Sequence, residues 1–453
     1  MTLNKTVEIS MLFWNDHTLE TLLRIALLLF VARVLIKSTP LKKLEVPISI
    51  YAGILGFIGG VSIFNAFELN QEALERIVYH GLAITFIGLG LVSNKNQKSS
   101  EAFRMGIGIS TIAVLQGFVG LTVLILFGFA VGQIQHPGLG LLLPLGFSQG
   151  PGQALSLGAA WEKTGLQNGA QLGLILAASG FLCSIIIGIP LALYARAKGW
   201  IKKNDVVLTQ QVQVEEGSFL NVMITIGFIY TLTFEILNVL DSFLADEKAK
   251  GMLWGFHFLV GLTLALVYKK TNLSMLPTLN NKDLTRVVNV TVDFVTCAAL
   301  CAVQISIVLQ YWLPVSILAI SGAFSTFVAV LWLSSRGFEQ DRFQHALLWF
   351  GAATGTLPMG ITLLRIIDPE LKSLAPISAT VGSAYALMFS APLMLFVLPF
   401  AIAKWPQGYP SSGYLMVAVL FLYLLILLFI WYRNGLKIGK INSLWSEELS
   451  ERT

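Results

Sequence analysis

Apolar residues in this chain run in blocks of about twenty, bounded by charged or turn-forming residues, which is the length a helix needs to cross about 30 Å of hydrocarbon. Eleven such blocks predict membrane-spanning helices over 18–36, 46–64, 77–93, 105–130, 171–195, 218–239, 252–269, 287–309, 313–334, 377–400 and 413–432. Two further apolar stretches, 137–160 and 345–364, carry glycine and proline where a straight helix would hold ordinary residues. The pattern predicts an all-α membrane protein.

Positive charge orients these helices, because short cytoplasmic loops collect Lys and Arg. Lys37, Lys42 and Lys43 follow the first block, Lys95, Lys98 and Arg104 the third, and Arg196, Lys198, Lys202 and Lys203 the fifth. Lys269, Lys270, Lys282 and Arg286 follow the seventh, Arg336 and Arg342 the ninth, and Arg433, Lys437 and Lys440 the eleventh. The acidic loops, with Glu68, Glu72 and Glu75 or Asp241, Asp246 and Glu247, then face outward. This places the N-terminus outside and the C-terminus in the cytoplasm.

Parity assigns the two remaining stretches. If 137–160 crossed fully, the basic loop at 196–203 would land outside, so the stretch must enter and leave by the outer face as a re-entrant hairpin. By the same count 345–364 is a re-entrant hairpin from the cytoplasmic face. Residues 18–200 then form a first repeat and 216–405 a second, each with five helices and one hairpin, related by a pseudo-two-fold axis in the membrane plane. The segment 413–453 is an appended helix and tail.

Composition narrows the class further. Charged residues make up 12% of the 453, against roughly a quarter in soluble domains, while 55% are hydrophobic and 40 are glycine. Mean hydropathy is +0.74. There is neither the polar surface of a soluble enzyme nor a basic face for nucleic acid. Cys183, Cys297 and Cys301 lie in apolar segments and read as packing residues. The five histidines show no metal-ligand spacing, and the first block lacks a signal-peptide cleavage site. No Ser–His–Asp arrangement or Gly-Lys-Ser/Thr loop is found, so the chain is not expected to be an enzyme or to hold a cofactor.

The chemistry concentrates in the two interrupted stretches. The first reads Phe147-Ser148-Gln149-Gly150-Pro151-Gly152-Gln153, and the second runs from Gly351 to Gly360 through Thr354, Gly355, Thr356 and Pro358. Irregular backbone at membrane depth persists only where protein or a wet cavity satisfies it. Unwound carbonyls there suit a cation, and half-helix N-termini suit an anion such as a carboxylate. Two kinked helices packed through small residues are the simpler alternative.

At these residues the sequence resembles the sodium/glutamate symporter family. The resemblance lies in Ser148 to Gln153, continuing through Leu157-Gly158-Ala159-Ala160-Trp161 to Ala177-Ala178-Ser179-Gly180-Phe181, and in Gly351 to Gly360 followed by Leu363-Leu364-Arg365 and Asp368-Pro369. It implies a homodimer in a bacterial inner membrane, importing L-glutamate or a related small dicarboxylate or amino acid with Na⁺ as coupling ion. Gln149, Pro151 and Gln153 stand where many members carry more glycine or a histidine, and helix 413–432 is additional to the ten-helix form.

Ser148, Gln149, Gly150, Gly152, Gln153, Thr354, Gly355, Thr356 and Arg365 are accordingly the substrate candidates, Arg365 as a planar fork for a carboxylate or else as an inner-face anchor. Gly150, Gly355 and Thr356 are also Na⁺ candidates, joined by Asp293 and Thr296, which share a helical face. Asp293 has a bland reading too, reaching interfacial water or Arg286. Gln116 and Ser179 read as ordinary interhelical hydrogen-bonding residues. The competing functions are a cation/proton antiporter with Asp293 as proton carrier, a 2-hydroxycarboxylate-type carrier, and, outside transport by carriers, a channel or a membrane-embedded transferase.

Overall fold

The computed structural model describes residues 16–39, 46–60, 63–64, 66–92, 100–132, 135–198, 200, 219–271, 279–403 and 411–437. The regular elements among them are all helices: α1 Asp16–Ser38, α2 Ile48–Gly59, α3 Gln71–Leu91, α4 Ser100–Val131, α5 Pro137–Pro144 and α6 Pro151–Glu162. They continue with α7 Gly169–Ala197, α8 Phe219–Ser242, α9 Glu247–Gly255, α10 His257–Lys270, α11 Asn281–Cys301 and α12 Ile305–Gly337. The last five are α13 Arg342–Thr354, α14 Leu357–Arg365, α15 Ala375–Pro392, α16 Leu398–Ala403 and α17 Ser411–Arg433. Lys42, Lys43, Lys95, Lys98, Lys202, Lys203 and Lys440, the repeat limits at 216 and 405, and tail residues 438–453 lie outside the described residues.

Seven of these helices are long and apolar enough to cross a membrane: α3, α4, α7, α8, α11, α12 and α17. The pair α9 and α10, bent by 52°, makes an eighth when taken together. The chain is thus a multi-pass membrane protein, all-helical among the described residues. Three of the eleven expected spans fall short of that measure for separate reasons. The run 18–36 lies in α1, which contains Glu20, Arg24 and Arg33; Arg24 is held by Glu20 at 2.6 Å and Glu68 at 3.1 Å. The run 46–64 shortens to the 12 residues of α2. The run 377–400 divides into α15 and α16 at a wide turn, Leu393–Val397, directly after Pro392. Pro399, at the start of α16, has no N–H for the carbonyl one turn back and crowds it, and the widened turn Leu393–Val397 absorbs the misfit.

One predicted boundary is displaced. The gap expected between 309 and 313 is a kink inside α12, at Tyr311 (φ −110°, ψ 16°), three residues before Pro314. The real break falls at 302–304, where Gln71 Nε2 donates to the Ala302 carbonyl at 2.8 Å and the Gln304 N–H donates to Gln171 Oε1 at 3.1 Å. Two glutamine side chains there satisfy the exposed backbone that hydropathy alone cannot locate.

Packing pairs elements from the two halves of the chain. α3 lies against α11, and α4 lies against α12. Outside these pairs, α2 packs on α11 while α10 packs on α3, and α1 packs on α2 while α8 packs on α10. α4 also carries α5, α15 and α17, and α12 carries α13.

Candidate functional site

Both glycine-rich stretches fold back on themselves. In the first, α5 leads into a wide turn, Leu145–Gln149, that follows Pro144, and α6 returns after Gly150. Its two ends lie together: Thr164 Oγ1 is 3.4 Å from His136 Nε2, and a methyl on Gly138 would lie 3.0 Å from the Trp161 ring. In the second, α13 and α14 pack side by side around Gly355 and Thr356, with Gly351 so near Gly360 that a methyl would lie 2.7 Å from its Cα. Its base is tied by Asp341 Oδ2, which accepts from the Leu374 N–H at 2.8 Å.

The two tips meet. A methyl on Gly150 would lie 3.4 Å from Thr356 Cγ2, and the Ser148 hydroxyl donates to the Ala353 carbonyl at 3.3 Å. Gln116 of α4, fully buried, binds them together. Its Nε2 donates to the Ala353 carbonyl at 2.8 Å and to Thr326 Oγ1 at 2.9 Å, while its Oε1 accepts from Ser148 at 2.6 Å. Both donors of the carboxamide and one acceptor position of its oxygen are therefore directed at a hairpin or at α12. Gly180 of α7 admits the second tip, since its Cα faces the Thr354 carbonyl with no room for a side chain.

Gly150 has φ 90° and ψ 173°, a region open essentially to glycine, so the chain reverses there without strain. The helices leaving the tips begin without side-chain caps: α6 from Gly150 with Pro151 at its start, and α14 from Thr356 with Pro358. Their first N–H groups and positive dipole ends converge on the contact between the tips. Gln153, one turn into α6, is 3% exposed; its Nε2 donates to Gln149 Oε1 at 3.1 Å and its Oε1 has no partner. An orphaned buried carbonyl oxygen is an acceptor awaiting a donor or a cation. Ser148, Gln149 and Thr356 remain partly exposed, while Gly150, Gly152, Thr354 and Gly355 are buried.

The remaining candidates have other surroundings. Arg365 is exposed at the far end of α14, nine residues from Thr356 or about 13 Å of helix, so it lies at the base of the hairpin rather than its tip. Asp293 is half-buried on α11 with the Ser49 hydroxyl as its hydrogen-bonding neighbour, while Arg286 turns to Asp283 at 3.3 Å. Thr296 is buried on the same helix. Thr354 spends its hydroxyl on the Phe350 carbonyl at 2.8 Å. Gly152 packs against α3, where a methyl would lie 2.8 Å from Leu82 Cδ1. Ser179 donates to the Ile175 carbonyl of its own helix at 2.8 Å. Gln116 is the residue that sequence reasoning underrated; a carboxamide at the middle of a largely apolar 32-residue helix was the available signal.

Compared with family models and with curated proteins, the chain matches none.

Proposed function

We propose that this protein is a secondary active carrier that moves a small carboxylate, L-glutamate or a related dicarboxylate or amino acid being the first choice, together with Na⁺ by alternating access. The observation that carries the reading is the meeting of the two hairpin tips at Gln116. In this reading the hairpins are re-entrant from opposite faces of an eleven-crossing protein, and 18–200 and 216–405 are inverted repeats. The reciprocal packing of α2 on α11 and α10 on α3 supports that symmetry, as does the pairing of α3 with α11 and α4 with α12.

At the centre, the uncapped starts of α6 and α14 receive the carboxylate of the substrate. The Gln153 oxygen and the tip carbonyls receive the cation. Each ligand raises the affinity for the other through charge, and that coupling free energy makes transport depend on both gradients. The protein functions as a homodimer in the cytoplasmic membrane of a bacterium, with its C-terminus inside. Uptake of labelled glutamate, aspartate and citrate into proteoliposomes tests the reading. An inward Na⁺ gradient should drive accumulation of at least one of them, and accumulation that follows a proton gradient and ignores Na⁺ would refute it.

A further inference from the structure

A second polar centre lies apart from the tips, where α3, α6, α9 and α10 converge. His257, the first residue of α10, is fully buried at the bend between α9 and α10. Its Nδ1 lies 3.0 Å from the Trp254 carbonyl and its Nε2 lies 3.0 Å from the Tyr79 carbonyl. A carbonyl oxygen only accepts. A neutral imidazole donates from one ring nitrogen and presents a lone pair at the other, so it satisfies one of these contacts and turns the other repulsive. The imidazolium donates to both.

We propose that His257 is a proton-binding site whose occupied form is the arrangement seen here, and that its occupancy governs how the returning arm of the first hairpin is held. The arm's Ser156, on α6, donates to the Gly255 carbonyl at 2.9 Å and sits 3.4 Å from His257 Nδ1. When the proton leaves Nδ1 for water, the ring loses one positive charge and gains a lone pair that needs a donor. The Ser156 hydroxyl is in reach, and its hydrogen turns from Gly255 to the ring. The hairpin arm thereby exchanges a bond to α9 for a bond to α10.

The surroundings fit a site that binds and releases a proton. The titratable neighbours on α3 are Tyr79, whose ring stacks on His257 with centroids 3.8 Å apart, and His80, which faces Tyr230 of α8 through a 2.8 Å hydrogen bond. Tyr79 also donates its own hydroxyl to the Trp254 carbonyl at 2.8 Å, so the carbonyl facing Nδ1 is held in place. α6 contributes only the neutral Ser156, while the tilted ring of Phe234 on α8 and the edge-on ring of Phe258 on α10 close the site. Burial opposes the charge; the two fixed carbonyl dipoles and the aromatic face of Tyr79 favour it. The inference concerns a proton and does not depend on what the tips carry.

Ring-¹⁵N-labelled histidine in the full chain, reconstituted in liposomes and followed by solid-state NMR from pH 5 to 9, reads the site directly. The expected result is one histidine with both ring nitrogens protonated at neutral pH, absent from the spectrum of His257→Gln. Ser156→Ala removes the donor that supports the neutral ring, so the midpoint of that signal should move up by about half to one pH unit. That shift also identifies the signal if His257→Gln does not fold. A His257 signal that stays neutral down to pH 5, or a midpoint unmoved by Ser156→Ala, would overturn the proposal. Because neither readout uses substrate or Na⁺, failure here is distinguishable from failure of the transport reading.

Discussion

Replacing Gln116 with leucine removes two donors and one acceptor between the hairpin tips and α12; the Thr326 hydroxyl loses its donor, and the Ala353 carbonyl keeps only the longer contact from Ser148. Each orphaned buried group costs about 1–3 kcal/mol. Uptake by Gln116→Leu should fall at least tenfold while helix content by circular dichroism stays unchanged; wild-type uptake would show that the tips do not need this tie. At Gly150, alanine would have to adopt φ 90°, at a cost of about 1–3 kcal/mol, so Gly150→Ala should lower thermal stability measurably where Gly227→Ala, in open space, should not. His136 gives a pH signature. Its Nδ1 accepts from the Gly138 N–H at 3.1 Å, which needs the neutral ring, and burial pushes its pKa down to about 4 from an ordinary 6.5. The folded state therefore binds fewer protons than the unfolded one between those values, and stability is lost as pH falls from about 6.5 towards 4. His136→Asn keeps an acceptor at the cap without titrating, and its thermal unfolding should be flatter over that window. Among single residues, the glycines and polar groups of the tips were legible because they break an apolar run. Gln116 and His257 were not, since what gives them their roles is which carbonyls they face.

At the scale of elements, the chain reversals within 137–160 and 345–364 were legible from glycine and proline together. Pro144, Pro151 and Pro358 mark where α5 ends and where α6 and α14 begin. The break between α11 and α12 was hidden because its stabilising partners, Gln71 and Gln171, come from α3 and α7, far away in sequence. The division of 252–269 into α9 and α10 was equally invisible to hydropathy, which both halves satisfy together. Packing also gives two substitutions at the tips separate reasons for their effect. Gly152→Val should abolish uptake because the side chain collides with Leu82 and pushes α6 from α3; Gly355→Val meets the Gly351 carbonyl and the Phe181 ring within the second hairpin and against α7. Leu82→Ala should therefore restore part of the uptake lost in Gly152→Val and none of that lost in Gly355→Val, measured in the same vesicles. Equal rescue of both would contradict the assignment.

At the scale of the whole molecule, the account rests on two hairpins that enter from opposite faces and meet inside. Parity of charge across loops predicts the opposite faces, and the contact of Gly150 with Thr356 and the tie through Gln116 are the meeting of the tips that the account requires. The direct test is labelling with a membrane-impermeant thiol reagent of single cysteines placed at the exposed positions Val131, Lys163, Gln340 and Glu370, in a chain whose Cys183, Cys297 and Cys301 are replaced by alanine. Val131 and Lys163 flank the first hairpin and should label only from the outer face, whereas Gln340 and Glu370 flank the second and should label only from the cytoplasmic face. If the two positions flanking either hairpin label from opposite faces, that segment crosses the membrane and the account fails.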